Sequence, residues 1–230
     1  MNTKGLLDQL FKQGADLLAG NTSHASSGKN DNSGGVSGFL AGRGGAALGG
    51  GALGLLLGSK KGRKMGGKIL TYGGLAALGV VAYKAYGNWQ KQQGSKVSQA
   101  EPQTVDRLPA PQAEQHCHAI LRAIIGAAKA DGHIDDRERD LIDNEVARLT
   151  SDGALLHWFD AELKKPLDPT EIASSATTPE MAAEMYLASV LVVDEENFME
   201  RSYLTELARQ LKLEPALKAE LEQQARHASG

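Results

Sequence analysis

Cysteine is nearly missing from this chain: Cys117 stands alone among 230 residues. An intramolecular disulfide is therefore excluded, and the redox compartment is left open. Alternating apolar and polar runs are missing too, so no strand is expected and a phosphate-cradling glycine loop between strand and helix has no place. The segment Met1–Gly20 lacks the continuous apolar run of a cleaved signal peptide and shows only a weak helical pattern in Leu6, Leu7, Leu10, Phe11, Leu17 and Leu18. Ser174, Ser175 and Ser202 have no evident base partner, which leaves nucleophilic catalysis unsupported.

What the chain does have is charge split into two halves. Residues 1–111 carry thirteen Lys and Arg against five Asp and Glu, a net +8, whereas residues 112–230 carry twelve against twenty-three, a net −11. Such a split suggests a tethered module rather than one compact enzyme. Nucleic acid is not expected to bind the acidic half, because phosphate would be repelled.

Most of the 27 glycines lie before position 90. Ordering so glycine-rich a segment in water costs much backbone entropy and buries few large side chains, so the core is expected from about the last 115 residues. Residues 1–38 read as an N-terminal amphipathic segment and linker, and residues 39–93 as a Gly-rich membrane anchor of one or two spans. Two apolar blocks, Gly44–Gly58 and Ile69–Tyr86, flank the basic loop Ser59–Lys68. From Ile69 to Trp89 a helix would run about 31 Å, close to a hydrocarbon core of roughly 30 Å. Lys84 could snorkel, and Tyr83, Tyr86 and Trp89 would form an interfacial belt. In the first block Gly45 with Gly49, and Gly50, Gly54 and Gly58, leave one helical face bare, a surface for homo-oligomers or for the second span. The block is equally readable as a flexible linker. The expected partner is the lipid bilayer, with the basic loop on the cytoplasmic side at anionic headgroups; Lys84, Lys91, Lys96 and Arg107 weaken that bias, so the side holding the acidic domain stays open.

Residues 94–112, with Pro102, Pro109 and Pro111, read as a spacer. Residues 113–230 then read as an acidic bundle of six or seven helices, at roughly 112–130, 135–149, 153–163, 169–175, 178–192, 197–211 and 214–227. Four apolar stripes carry it: Ile120, Leu121, Ile124, Ile125 and Ala128; Leu141, Ile142, Val146 and Leu149; Met181, Met185, Leu187, Val190 and Leu191; Phe198, Leu204, Leu207 and Leu211. Helix starts are marked by Asp135 with Glu138, Asp168 with Pro169, Thr178 with Pro179, and Asn197 with Glu200.

Two of these starts share a pattern 62 residues apart: a cap, a Glu-Arg pair and the same apolar positions, each after an apolar helix and an acidic corner. This suggests a duplicated helix–corner–helix unit whose corners meet at one end. The run Ala127-Ala-Lys-Ala-Asp-Gly-His-Ile-Asp-Asp-Arg-Glu, the Pro166-Leu-Asp-Pro segment, and Asp194 through Phe198-Met-Glu-Arg-Ser-Tyr-Leu resemble a YebE-like family of bacterial inner-membrane proteins whose C-terminal domain is similar to the tellurite-resistance protein TerB. The resemblance covers nearly the whole chain. It implies an all-α fold of Gly-rich membrane-associated helical segments followed by a TerB-like bundle, a bacterial inner-membrane location, an association with envelope stress, and a divalent metal at the acidic corners.

A hard cation needs converging oxygen ligands. Asp131, Asp135 and Glu138 from the first corner, with Asp194, Glu196, Asn197 and Glu200 from the second, could supply them. The first corner is no EF-hand: Asp136 stands where the glycine should be, and Ile142 where the bidentate Glu should be. The same residues are also readable as ordinary capping boxes and Asp131-Gly132 as an ordinary turn, none of which needs an ion. His116-Cys117-His118 points to different helical faces and lacks a second ligand pair for zinc. His133 could join a metal site or merely occupy the turn. The leading expectation is a membrane-anchored, non-enzymatic binding module whose acidic face takes a divalent cation, a basic protein partner, or both. The alternatives are a metal-dependent hydrolase and a structural membrane protein oligomerising through its glycine face.

Overall fold

The computed structural model describes residues 2–20, 62–93, 101–130, 134, 136–193 and 197–229. Among them nine helices form and no strand does: α1 (Thr3–Gly20), α2 (Gly62–Gln93), α3 (Ala110–Ala128), α4 (Asp136–Leu149), α5 (Gly153–Lys164), α6 (Pro169–Ala173), α7 (Pro179–Val192), α8 (Phe198–Gln210) and α9 (Pro215–Ser229).

The centre of the fold is α7. Thr178 caps it by accepting the Met181 amide, and Pro179 supplies a first-turn φ that suits a helix. Every side chain from Met181 to Val193 is buried. A helix apolar all round has no face to offer water and must be enclosed. It is enclosed by α3, α2, α9 and α8. The strongest capping signals in the sequence hold: Asp168 accepts the Thr170 amide at α6, and Asn197 the Met199 amide at α8. Asp152, not marked in advance, caps α5 through Leu155.

Helix α2 does not bear out the span expected from Ile69 to Trp89. Among the described residues no helix is long and apolar enough to cross a membrane. Within the stretch expected as a span, Leu75, Leu78, Ala82, Ala85 and Trp89 recur at alternating spacings of three and four and are all buried, against α9, α1 and α7. That is the stripe of a helix packed on one side. The expected aromatic belt is dissolved as well. Tyr86 and Trp89 meet edge-on at 5.1 Å inside the core, while Tyr83 lies beneath the Arg107 guanidinium, 3.8 Å from its ring centroid. Gly74, with φ +52°, breaks the helix into two limbs, a conformation that glycine adopts without a Cβ penalty. The other apolar block, Gly44–Gly58, lies outside the described residues.

The core is also larger than the last 115 residues. Leu6, Leu7, Leu10 and Phe11 of α1 are buried against α2 and α3. The α1 start is gripped from elsewhere in the fold. The Glu114 carboxylate accepts the Thr3 and Lys4 amides, and Asp152 accepts the Asn2 amide at 2.9 Å. Two carboxylates thus sit at a helix N-terminus whose free amides and dipole favour negative charge. Part of the expected spacer is core too: Thr104 and Val105 are buried in a strap, residues 101–109, that joins α2 to α3.

Two residues assigned to apolar stripes point outward. Phe198 is 73% exposed at the first turn of α8, beside Met199 at 55%, and Leu141 on α4 is 38% exposed. Phe198 precedes the stretch of α8 that reaches α7, so helical periodicity alone misplaces it. Close packing at the other face depends on Gly126, where an added Cβ would lie 2.4 Å from Ile172 Cδ1 and 2.8 Å from the Tyr203 hydroxyl.

If α1 is a true core element, Leu7→Ala leaves a cavity and lowers unfolding free energy by about 2–5 kcal/mol. Urea denaturation of the full chain measures it; a loss below about 0.5 kcal/mol, typical of surface positions, would mean that α1 is not integral.

Candidate functional site

Two contacts set the direction of α3 relative to α7. His116 Nδ1 meets Glu184 Oε2 at 2.5 Å, and the Ser189 hydroxyl lies 3.4 Å from the Ala123 carbonyl. Both chains advance in the same sense between the contacts, so the helices run parallel. Their C-terminal ends, Ala128 and Val192, therefore lie at one end of the bundle.

Of the seven residues marked as metal ligands, Asp131, Asp135, Asp194 and Glu196 lie outside the described residues. The described three are at the same end. Glu138 is half-buried in the first turn of α4, Asn197 caps α8, and Glu200, one turn into α8, is only 7% exposed. Among the described residues no group of three or more His, Cys, Asp or Glu is arranged to hold a metal. The His116-Cys117-His118 run separates as its spacing implies. His116 faces Glu184, Cys117 is enclosed, and His118 lies against Trp158 with ring centroids 4.1 Å apart. Burial, with Glu114 and other carboxylates nearby, pushes the Cys117 thiol up to about 12, so it is an inert core cysteine.

Sequence reasoning missed the most buried charge in the described fold. Glu184 is 0% exposed, in the middle of the all-apolar α7. Its Oε1 accepts the Val105 amide at 2.6 Å, which pins the 101–109 strap, and its Oε2 pairs with His116, which ties α3 to α7. The signal was present: a single carboxylate in the run Met181-Ala-Ala-Glu-Met-Tyr-Leu is costly to bury without partners. Burial pushes the Glu184 carboxyl above the usual carboxylate range, against the opposing pull of His116 and the Val105 amide.

A second polar cluster explains the Pro166-Leu-Asp-Pro segment. Glu162 on α5 accepts from Arg122 at 2.5 Å and Lys165 at 2.7 Å, while Lys129 donates to the Glu162 and Lys165 carbonyls. Burial raises the Glu162 carboxyl, and the hydrogen bonds from Lys165 and Arg122 outweigh it, so it ionises more readily than usual. The enclosed space here is about 20 Å³, room for about one water. The cluster therefore acts as a clamp on the α5–α6 loop, with no room for a substrate.

A cavity of about 610 Å³ opens at the other end of α7, between α2, the α6–α7 loop and the α8–α9 turn. Trp89, Leu211 and Leu217 give it an apolar floor. Its volume is that of a ligand pocket.

A model of the family described as "Protein of unknown function (DUF533)" matches residues 41–225. The chain belongs to that family. A relative of this DUF533 chain, an uncharacterized protein in the ampR 5′ region of Yersinia enterocolitica, is 34% identical over 115 residues, which cover 49% of this chain and 81% of the relative. No solved structure matches the DUF533 chain.

The Glu184 geometry yields a pH test. A carboxyl whose folded-state pKa is raised contributes stability that is fully present below its unfolded value and is lost as pH rises through the folded value. Glu184→Gln retains an acceptor for Val105 and never ionises. Its stability relative to the parent chain should therefore climb as pH rises above 4.5, read from urea midpoints between roughly pH 4 and 8. A gap independent of pH would refute the assignment of a raised carboxyl.

Proposed function

We propose that this DUF533 protein is a non-enzymatic, TerB-like helical binding module that holds a divalent cation between its two acidic corners, at the bacterial inner membrane. The observation that supports the reading is the parallel pairing of α3 and α7, which brings their C-terminal ends, Ala128 and Val192, to the same end of the bundle. In the sequence Asp131, Asp135 and Glu138 follow α3, and Asp194, Glu196, Asn197 and Glu200 follow α7. A hard cation suits such a set of carboxylate and amide oxygens. The YebE-like resemblance supports the same chemistry and the envelope setting.

The membrane part rests on residues 39–61 and the basic loop, since the second limb of α2 lies in the core. Lipid contact through Gly44–Gly58, with Lys60, Lys61, Arg63, Lys64 and Lys68 at anionic headgroups, fits the composition of that segment. Deletion of residues 39–61 should release the chain from the membrane pellet of fractionated bacteria. Retention in the pellet would contradict this anchor.

For the cation, thermal unfolding of the full chain with Ca²⁺, Mg²⁺, Mn²⁺ or Zn²⁺, in parallel with the Asp131→Ala, Asp194→Ala double variant, is the direct measurement. A ligand that binds only the folded state raises Tm by mass action. A rise with one ion that disappears in the double variant is expected. Equal curves with every ion would reduce the corners to caps and solvated surface.

A further inference from the structure

The geometry points to a binding site for a neutral, largely apolar molecule bearing a carbonyl oxygen, in the 610 Å³ cavity lined by Tyr86 and Trp89. The first sign is a pair of stranded donors. Tyr86 and Trp89 stand three residues apart on one face of α2, are 6% and 8% exposed, and meet edge-on at the cavity wall. Among the described residues the Tyr86 hydroxyl makes no hydrogen bond and the Trp89 indole N–H has no acceptor. Buried phenol and indole donors ordinarily find a partner, and leaving one unmet is costly. Burial, and then the Glu180 carboxylate, push the Tyr86 phenol above its ordinary value, so it stays a protonated donor at neutral pH. A carbonyl oxygen has two lone pairs and no proton of its own, which suits it to two donors on one wall.

The rest of the lining sets the body of the ligand and its charge. Ala182, Leu211, Leu213 and Leu217 offer apolar surface that gains by excluding water. The volume falls within the roughly 300–1,000 Å³ of small-molecule sites. Lys212 and Glu214 are both exposed at the cavity and form no ion pair with each other, so the mouth carries one charge of each sign. An anion would meet Glu214 and, at Tyr86, the field of Glu180. A cation would meet Lys212 and two donors with nothing to accept. A neutral acceptor meets neither cost.

The site draws on α2, α6, the α6–α7 loop, α7 and the α8–α9 turn. It shares no residue with the proposed cation site, and the two stand or fall separately.

The test is equilibrium dialysis of the full-length chain against three compounds built on one ring system: acetylnaphthalene, ethylnaphthalene and naphthoate. Acetylnaphthalene should bind. Ethylnaphthalene, which lacks the acceptor, should bind about fivefold more weakly, the effect of one net hydrogen bond, and naphthoate, which adds a negative charge, should also be weaker than the ketone. Tyr86→Phe keeps the ring and removes the hydroxyl, so it should weaken acetylnaphthalene binding about fivefold and leave ethylnaphthalene unchanged, a split that general damage to the fold would not give. Thr177 is exposed and lines the cavity, so Thr177→Trp should obstruct it and weaken both compounds. No binding of the ketone, equal or tighter binding of ethylnaphthalene or naphthoate, equal loss of both neutral compounds in Tyr86→Phe, or indifference to Thr177→Trp would each overturn the proposal.

Discussion

The requirement that α7 be enclosed on all sides organises the rest of the molecule. A helix buried from Met181 to Val193 cannot be covered by one neighbour, because each flanking helix shields only one stripe. The acidic half supplies α3, α8 and α9. The remaining side is closed by α2, and α2 in turn needs α1 over its other flank. Two helices of the basic half, α1 and α2, are thereby drawn into the same core as the acidic half, although composition alone sets the halves apart.

That recruitment explains what could and could not be read from the sequence. The seven helices of the acidic half appear within two residues of their expected ends, because their starts are fixed locally by Asp168, Thr178, Asn197 and flanking prolines. The role of α2 is not local. A stretch of about twenty largely apolar residues satisfies the length criterion for a bilayer and for a buried helix alike. What separates them is the three-four recurrence from Leu75 to Trp89 with Val80 and Lys84 left outside, a pattern softened by the alanines and glycines between. The corners are a different case. The Asn197 cap was legible, but the common end of α3 and α7 follows from the His116–Glu184 and Ala123–Ser189 contacts, which join residues more than sixty positions apart.

The polar interior reinforces this arrangement through few, specific contacts. Glu184 fastens the strap and α3 to the central helix, and the Glu162 cluster fastens the α5–α6 loop to α3. In each case a buried carboxylate satisfies a backbone or side-chain donor that would otherwise be stranded at considerable cost. Both lie within the body of the bundle, between the end where α3 and α7 close, with the exposed Phe198, and the end that carries the cavity.

The parallel sense of α3 and α7 also has an electrostatic result. Neighbouring antiparallel helices largely cancel each other's axial fields, whereas parallel ones add. Each helix brings about half a negative charge to its C-terminal end. At that end these two partial charges share the same sign, and the sequence that follows each helix is rich in carboxylates. The backbone itself thus biases that end toward cations before any side chain is counted.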